Sequence, residues 1–241
     1  LGGDLSSIEV YYPILLKIYL LGLLLFTIRW IVSVFQIRSI INKGDGTESA
    51  TLALLESLKL KLGIKMEIKL ISSTKLGAPV LYGFLKPVII VPAGMFFNLP
   101  HKQVESILMH ELIHVKRLDF FVNLLQSVVE LIFFFNPFIW VMSKQIRIER
   151  EKYCDDLVVD SGSSPSVYAK ALLNLSLLQS NRYDLAIPAT GSNRQVLLNR
   201  IQRLLNINTM KTRNKRRVFL TYLVVVSFIV LLISSGFRSA F

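Results

Sequence analysis

The feature that most constrains the fold is a long apolar stretch near the start of the chain, residues 10–35. Only Lys17 and Arg29 are charged within it, and Tyr12 and Trp30 lie toward its two ends. A helix needs about 20 apolar residues to cross the ~30 Å hydrocarbon core of a bilayer, and aromatic rings favour its interfaces. The stretch therefore predicts a transmembrane helix.

Two further apolar stretches follow later in the chain. Residues 218–235 predict a second transmembrane helix. Residues 120–142 reach the same length but contain Asn, Gln, Glu and Pro side chains. Pro137 removes a helical hydrogen-bond donor and disfavours helix at Asn136, so the sequence predicts a bent or re-entrant, membrane-embedded element here instead of one straight crossing.

The basic residues lie between the two predicted transmembrane helices. All but three of the 28 Lys and Arg residues fall within residues 36–217, and residues 1–9 contain none. The positive-inside rule therefore predicts that 36–217 is cytoplasmic and that the stubs 1–9 and 236–241 lie outside. This rule, with contact to anionic lipid, accounts for the net charge of +12. A nucleic-acid-binding membrane protein is the competing hypothesis, but the sequence has no recognition motif for it and we expect no direct nucleic-acid binding.

Residue patterns within 36–217 predict an α+β domain, mainly helical with a small β-sheet. Short apolar or alternating runs predict strands at 66–71, 79–84 and 88–91. Helical spacing, capping residues and Pro positions predict helices at 47–62, 98–118, 143–160, 165–179 and 196–205. Asn98 and Pro100 are expected to open the second of these helices, and Ser192-Asn193 to cap the last. Residues 180–191 read as a loop.

The predicted helix 98–118 contains an H-E-x-x-H motif, HELIH at residues 110–114. Residues four apart share a helix face, so His110 and His114 can offer two imidazole nitrogens to one Zn²⁺. Glu111 lies beside the first histidine and can take a proton from metal-bound water as a general base. The alternative is a pair of surface histidines on an amphipathic helix.

A catalytic zinc site needs a third protein ligand, for which a carboxylate is common. The downstream sequence RIEREKYCDD offers four candidates: Glu149, Glu151, Asp155 and Asp156. Glu151 and Asp155 are four apart and share a helix face, so one can bind the metal while the other orients a ligand histidine. The alternative is a solvated charged face with pairs such as Arg147–Glu151. Spacing alone leaves these possibilities open.

Several segments together resemble the BlaR/MecR-type membrane-integral zinc peptidases. They are HELIHVKRLD at 110–119, GFLKPVIIVP at 83–92, NPFIW at 136–140 and R-x-x-x-E-x-x-C-D at 147–155. The resemblance covers about residues 5–237. The best-known members continue into an extracellular penicillin-binding sensor, whereas this sequence ends at 241. Sensing of β-lactams is therefore not supported. Because the sequence starts at Leu1, not at Met, and has no signal-peptide pattern, we expect a segment of a longer multi-pass protein.

The resemblance implies a zincin-like (gluzincin) fold with one zinc per chain. Glu151 would be the third ligand, and Asp155 and Asp119 would support the ligands or the structure around them. It also implies an endopeptidase in a bacterial inner membrane with its catalytic domain facing the cytoplasm. The substrate would be a cytoplasmic protein such as a transcriptional repressor, or the enzyme itself, in regulatory signalling. The alternative is a transmembrane signal transducer that binds zinc structurally and does not cut.

Three tyrosines and the single cysteine are the remaining side chains of interest. Tyr82, Tyr153 and Tyr168 are candidates for stabilising the oxyanion, and the sequence does not choose among them. Cys154 is the single cysteine, so an intrachain disulfide is excluded, and it reads as a small buried side chain.

Overall fold

The computed structural model describes residues 5–42, 44–46, 49–83, 85–180 and 191–206. The predicted mainly helical fold with a small sheet is confirmed for these residues. In chain order the elements are α1 (Leu5–Asn42), β1 (Asp45–Gly46), α2 (Ser49–Leu62), β2 (Lys69–Ser73), β3 (Val80–Tyr82), β4 (Val88–Pro92), α3 (Gly94–Asn98), α4 (His101–Lys116), α5 (Asp119–Ile132), α6 (Pro137–Asp160), α7 (Pro165–Ser180) and α8 (Gly191–Leu204). The predicted helix 218–235 and most of the predicted loop 180–191 lie outside the described residues.

Helix α1 contains the first predicted transmembrane segment. Its 38 residues would extend about 57 Å at 1.5 Å per residue, longer than the hydrocarbon core of a bilayer. Residues Tyr12–Asn42 are long and apolar enough to cross a membrane, and α1 is the one such helix among the described residues. Most of its large apolar side chains, including Leu15, Leu24 and Phe35, are exposed.

The sheet has four strands in the order β1-β2-β4-β3. Strands β2 and β4 pair in parallel, with Leu70 opposite Ile89, whereas β3 pairs antiparallel with β4, with Leu81 opposite Ile89. The apolar run of β4 is buried because it occupies an interior position of the sheet. Strand β3 forms an edge of the sheet, and its residues are only partly buried.

Helix α4 lies at the centre of the domain, and most of its residues are buried. It packs against α2, α6 and α7, and its apolar side chains, such as Leu108 and Leu112, belong to the main core. The predicted role of Asn98 as its cap is wrong. The Asn98 side chain donates to the Gly94 carbonyl at 2.7 Å and so closes α3, a short helix that the sequence did not predict. Helix α4 begins after Pro100, whose carbonyl accepts from the amides of the first turn.

Residues 119–160 form an antiparallel helical hairpin, α5 and α6. The chain leaves the helical conformation after Ile132 and re-enters it at Pro137, where the Asn136 side chain accepts from the Phe138 amide at 3.0 Å. The predicted break therefore exists, and α6 begins six residues before the predicted start. Glu130 of α5 forms an ion pair with Arg147 of α6 at 2.8 Å.

The hairpin also contacts α1. The Phe134 ring stacks on Tyr19 and Phe26, with ring centroids 5.8 and 5.1 Å apart. Many apolar side chains of α5 and of the first turns of α6 remain exposed, among them Leu125, Phe138 and Val141. That residues 120–142 are embedded in a membrane stays a prediction.

Helix α8 begins earlier than predicted, at Gly191, so Ser192 and Asn193 lie within the helix and do not precede it. Leu197, Ile201 and Leu204 pack against the core. The i, i+4 and i+7 spacing of these residues is the one expected of an amphipathic helix.

Candidate metal centre

The H-E-x-x-H motif lies in the buried C-terminal half of α4. One helical turn brings Nε2 of His110 and Nε2 of His114 to 3.1 Å from each other. Glu111, between them in sequence, is also buried and lines the same cleft. The histidines are therefore not a surface pair, which was the alternative to a metal site.

Helix α6 brings Glu151 to the two histidines. Its Oε2 lies 3.4 Å from His110 Nε2, and its Oε1 lies 3.6 Å from His114 Nε2. Donor atoms placed tetrahedrally at about 2.1 Å from zinc are roughly 3.4 Å apart, so these spacings fit a zinc ion. The other carboxylates are engaged elsewhere. Glu149 pairs with Lys152, and Asp156 pairs with Arg203.

The outer nitrogen of His114 is held by Asp119. Nδ1 of His114 donates to Oδ2 of Asp119 at 2.7 Å. The turn between α4 and α5 makes this contact possible, since Leu118 adopts a left-handed conformation with φ of 57°. A non-glycine residue in that conformation costs conformational energy, and such strain is commonly found at functional sites.

The outer nitrogen of His110 is held through Tyr168 of α7. Nδ1 of His110 donates to the Tyr168 hydroxyl oxygen at 2.9 Å, and the hydroxyl donates to Oδ1 of Asp155 at 2.7 Å. The direct separation of His110 Nδ1 and Asp155 Oδ1 is 3.7 Å. Asp155 therefore supports His110 mainly through the hydroxyl of Tyr168, a residue to which the sequence assigned no such role.

These hydrogen bonds assign the protons of both histidines to Nδ1. The two Nε2 atoms then face each other, and the Glu151 carboxylate, as three acceptors. Acceptors this close repel unless a proton or a cation lies among them. The donor set thus fits a divalent metal, and two imidazoles with one carboxylate suit zinc with an open position.

The surroundings also affect the ionisation of these groups in the metal-free protein. Burial alone would lower the pKa of His114, but hydrogen bonds with Asp119 and Cys154 and nearby negative charge raise it to about 10. Burial alone would raise the pKa of Glu151, but the hydrogen bond with His110 and the charges of His110 and Arg200 hold it well below its usual range. Burial and the charge of Asp155 raise the pKa of Tyr168 well above its usual range, so its hydroxyl keeps its proton.

Arg200 of α8 also reaches the centre, a position that the sequence patterns did not indicate. Its guanidinium contacts Glu151, Asp155 and the Tyr168 hydroxyl. One feature of the sequence could have indicated it. Arg200 comes directly before Ile201 in an amphipathic helix and lies close to its apolar face. A charged residue is unusual there unless it is paired.

A cleft of about 380 Å³ opens onto the metal centre. The β3 side of the cleft is apolar, the α5 side includes Asn123, and the α7 side includes Leu172 and Leu175. Its remaining lining side chains include Ile107, Arg150 and Phe120. This combination of an apolar wall and convergent polar groups is typical of a substrate-binding site.

Cys154 belongs to a second group of potential ligands with His114 and Asp119. Its Sγ lies 3.4 Å from His114 Nδ1 and 3.6 Å from Asp119 Oδ2. Cys154 is fully buried and does not line the cleft, which agrees with its interpretation as a small buried side chain. The other two members of this group, His114 and Asp119, line the cleft.

The three candidate oxyanion tyrosines lie in different environments. Tyr82 accepts from Arg38 Nε at 3.2 Å, and the exposed Tyr153 ring lies under Arg117, 4.4 Å from the guanidinium carbon. Neither lines the main cleft, and the Tyr168 hydroxyl is already engaged by His110 and Asp155.

Comparison with known proteins gives a consistent set of relatives. A family model described as BlaR1 peptidase M56 matches residues 5–204. The "Regulatory protein BlaR1" of Bacillus licheniformis is 25% identical over 178 residues, which are 73% of this chain and 30% of that protein. The "Methicillin resistance mecR1 protein" of Staphylococcus aureus is 30% identical over 118 residues, 48% of this chain and 20% of that protein. The chain thus spans less than a third of the length of these curated relatives.

Proposed function

The chain belongs to the BlaR1 peptidase M56 family, and from this premise we propose that it is a membrane-anchored zinc endopeptidase with a zincin-like catalytic domain. The observation that carries the proposal is the convergence of His110 Nε2, His114 Nε2 and the Glu151 carboxylate within 3.6 Å of one another. Both outer imidazole nitrogens are held by hydrogen bonds, as expected of ligand histidines.

In this proposal His110, His114 and Glu151 hold one zinc ion. When bound, zinc would polarise the scissile carbonyl and lower the pKa of a water molecule. Glu111 accepts a proton from the attacking water at its carboxylate and passes it to the nitrogen of the leaving amine. Its position in the cleft wall beside His110 suits this role. Asp119 and the Tyr168–Asp155 pair keep the ligand imidazoles oriented.

Strand β3 offers a binding edge for an extended substrate. Leu81 and the preceding Ala78 and Pro79 line the cleft, and β3 pairs with β4 on one side within the described residues. An extended peptide can add to such an edge through main-chain hydrogen bonds. We propose that the substrate is a cytoplasmic protein such as a repressor, or the chain itself. The names of the relatives, a regulatory protein and a methicillin resistance protein, support a role in signalling.

The site also constrains the proposed topology. His110 and His114 precede the apolar segment 120–142 and Glu151 follows it, so both ends of this segment must lie on the same side of the membrane. We propose that residues 10–35 of α1 and residues 218–235 cross the bilayer, that residues 36–217 are cytoplasmic, and that the segment 120–142 is re-entrant. In a Cys154→Ala background, single cysteines at Lys102 and Lys170 should label from the cytoplasmic side. Labelling from opposite sides would contradict both the topology and Glu151 as a ligand.

Two measurements on purified protein in detergent test the activity. The zinc content is measured by mass spectrometry, and cleavage is assayed against a proteome-derived peptide library. Glu111→Gln should keep stoichiometric zinc and lose about 10²- to 10⁴-fold in cleavage rate, the usual contribution of a general base. Glu105→Gln, on the same helix, is the matched control. A wild-type protein without zinc, or a Glu111→Gln variant as active as wild type, would overturn the proposal.

The second candidate function is a non-cutting transducer with a structural zinc site. The observation that favours it is the group formed by His114, Asp119 and Cys154. Structural zinc sites have no open coordination position and commonly include cysteine. X-ray absorption distinguishes the two, since a zinc–sulfur distance near 2.3 Å is expected only for the cysteine-containing group. Such a transducer would also keep its signalling in the Glu111→Gln variant.

A further inference from the structure

Arg200 joins three side chains around the metal centre. Its Nε donates to Asp155 Oδ2 at 2.9 Å and its Nη2 to Asp155 Oδ1 at 2.7 Å, a two-pronged contact. Its Nη1 lies 2.9 Å from Glu151 Oε2, and its Nη2 lies 3.3 Å from the Tyr168 hydroxyl oxygen. The planar guanidinium suits this task, because its N–H donors have a fixed geometry that the ammonium of lysine lacks.

The contact with Asp155 determines the direction of the hydrogen bonds that reach His110. Asp155 is only 1% exposed, and a carboxylate that deeply buried requires a counter-charge, which Arg200 supplies. Asp155 then accepts the Tyr168 hydroxyl proton. The Tyr168 oxygen is left to accept from Nδ1 of His110, so that Nε2 is the nitrogen turned toward Glu151 and His114.

The contact with Glu151 fixes a second donor group. Arg200 engages Oε2 of Glu151, and the other oxygen, Oε1, faces Nε2 of His114. A single side chain of α8 thus constrains two of the three donor groups, Glu151 directly and His110 through Asp155 and Tyr168. His114, in contrast, is held by Asp119.

We propose that Arg200 is a positioning residue of the metal centre and that α8 is an integral part of the site. This inference rests on the proposed function, because it takes His110, His114 and Glu151 as the zinc ligands. Arg200 acts by holding Glu151 and the Asp155–Tyr168 pair in the arrangement that presents the donor atoms.

Electrostatics alone predicts the opposite effect on zinc affinity. A cation 2.9 Å from a ligand carboxylate competes with the metal for that carboxylate, so its removal would tighten zinc binding. Positioning prevails here because removal also leaves Asp155 buried without its counter-charge, and the carboxylate must then rearrange together with Tyr168. The sign of the change in affinity therefore decides between the two effects.

The test compares Arg200→Gln with Arg203→Gln, a matched control. Arg203 lies one turn further along α8 and pairs with Asp156, a carboxylate outside the metal centre. Zinc affinity is measured by competition with a chromophoric chelator, and the visible spectrum of the Co²⁺-substituted protein reports the geometry of the donors. Arg200→Gln should weaken zinc binding by about 10- to 100-fold and alter the Co²⁺ spectrum, the usual scale for loss of a group behind a ligand. Arg203→Gln should change neither, and Arg200→Lys should recover part of the loss.

A second variant covers the possibility that Arg200→Gln does not fold. Adding Asp155→Asn to Arg200→Gln removes the unpaired charge while Glu151 still lacks its partner, so this double variant should fold and still bind zinc more weakly than Asp155→Asn alone. Zinc affinity equal to or tighter than that of the corresponding parent, in either comparison, would overturn the inference. Failure of the wild-type protein to bind zinc would instead overturn the proposed function, so the two failures are distinguishable.

Discussion

The two ligand histidines are held in different ways. His114 is supported by Asp119, five residues further along the chain, at the beginning of the next helix. His110 is supported by Tyr168, Asp155 and Arg200, which come from α7, α6 and α8. One support is local and charged, and the other is long-range and passes through a neutral hydroxyl. The comparison teaches that one metal centre can combine a contact made by neighbouring residues with one that requires the whole domain.

The largest effect is expected when either ligand histidine is lost. Without that imidazole, the difference between the local support of His114 and the long-range support of His110 no longer matters for zinc binding. His110→Ala and His114→Ala should each weaken zinc binding by roughly 100-fold or more, because each removes one of the ligands that share the binding free energy. Chelator competition measures the loss. His101→Ala is the control, since that histidine is exposed at the start of α4. A variant that keeps wild-type affinity would remove that histidine from the ligand set.

Glu151→Ala should also weaken zinc binding, but by less than loss of a histidine, because water can replace a carboxylate oxygen at the metal. Glu149→Ala is the matched control, two residues away on the same helix and paired with Lys152. Metal content after dialysis measures both. If Glu149→Ala is the damaging change, the third ligand has been assigned wrongly.

Replacing the two supports compares them directly. Asp119→Asn should weaken zinc binding by about 10- to 100-fold, since it removes a charged acceptor from Nδ1 of His114. Tyr168→Phe should have a smaller effect, about 10-fold or less, because it removes a neutral hydroxyl while Asp155 keeps its contact with Arg200. Equal losses of zinc affinity in the chelator assay would contradict the stated difference between the support of His114 and the support of His110.

The pH dependence of zinc binding should reflect the local support. The pKa of His114 in the metal-free protein is raised to about 10, so the imidazole carries an extra proton at pH 7.5. Zinc must displace this proton, so affinity should rise with pH until it approaches 10, and binding should release a proton. Calorimetry in two buffers of different ionisation enthalpy counts the protons. Asp119→Asn should reduce the count, because it removes the partner that raises the pKa of His114.

The smallest effect is expected for the ion pair between Glu130 of α5 and Arg147 of α6. Arg147→Gln breaks the ion pair with Glu130, and Arg147 lies about one turn before Glu151 on α6. Zinc affinity should stay within about 3-fold of wild type, since this pair contacts none of the donor groups of the metal centre. A loss as large as that of Asp119→Asn would show that this ion pair holds Glu151 in place.

Part of the site could be predicted from local spacing, and part from the family resemblance. The spacing of His110 and His114 fixes their common helix face, and the family resemblance named Glu151, Asp155 and Asp119 at the positions where the structure gathers them. The break at Asn136-Pro137 followed from the chemistry of proline. The start of α4 was predicted wrongly because Asn98 has a competing acceptor, the Gly94 carbonyl, in a short helix that the pattern did not reveal.

The sequence by itself determined the apolar segments, the helical periodicity and the H-E-x-x-H spacing, because these depend on residues within one or two turns of each other. The tertiary structure decided how a carboxylate meets the histidines, since α6 directs Glu151 toward them while Glu149 and Asp156 pair with Lys152 and Arg203. It alone brought Tyr168 and Arg200 to the site, 58 residues from His110 and 45 residues from Asp155 respectively. Contacts over such separations depend on how helices pack, and no local pattern encodes them.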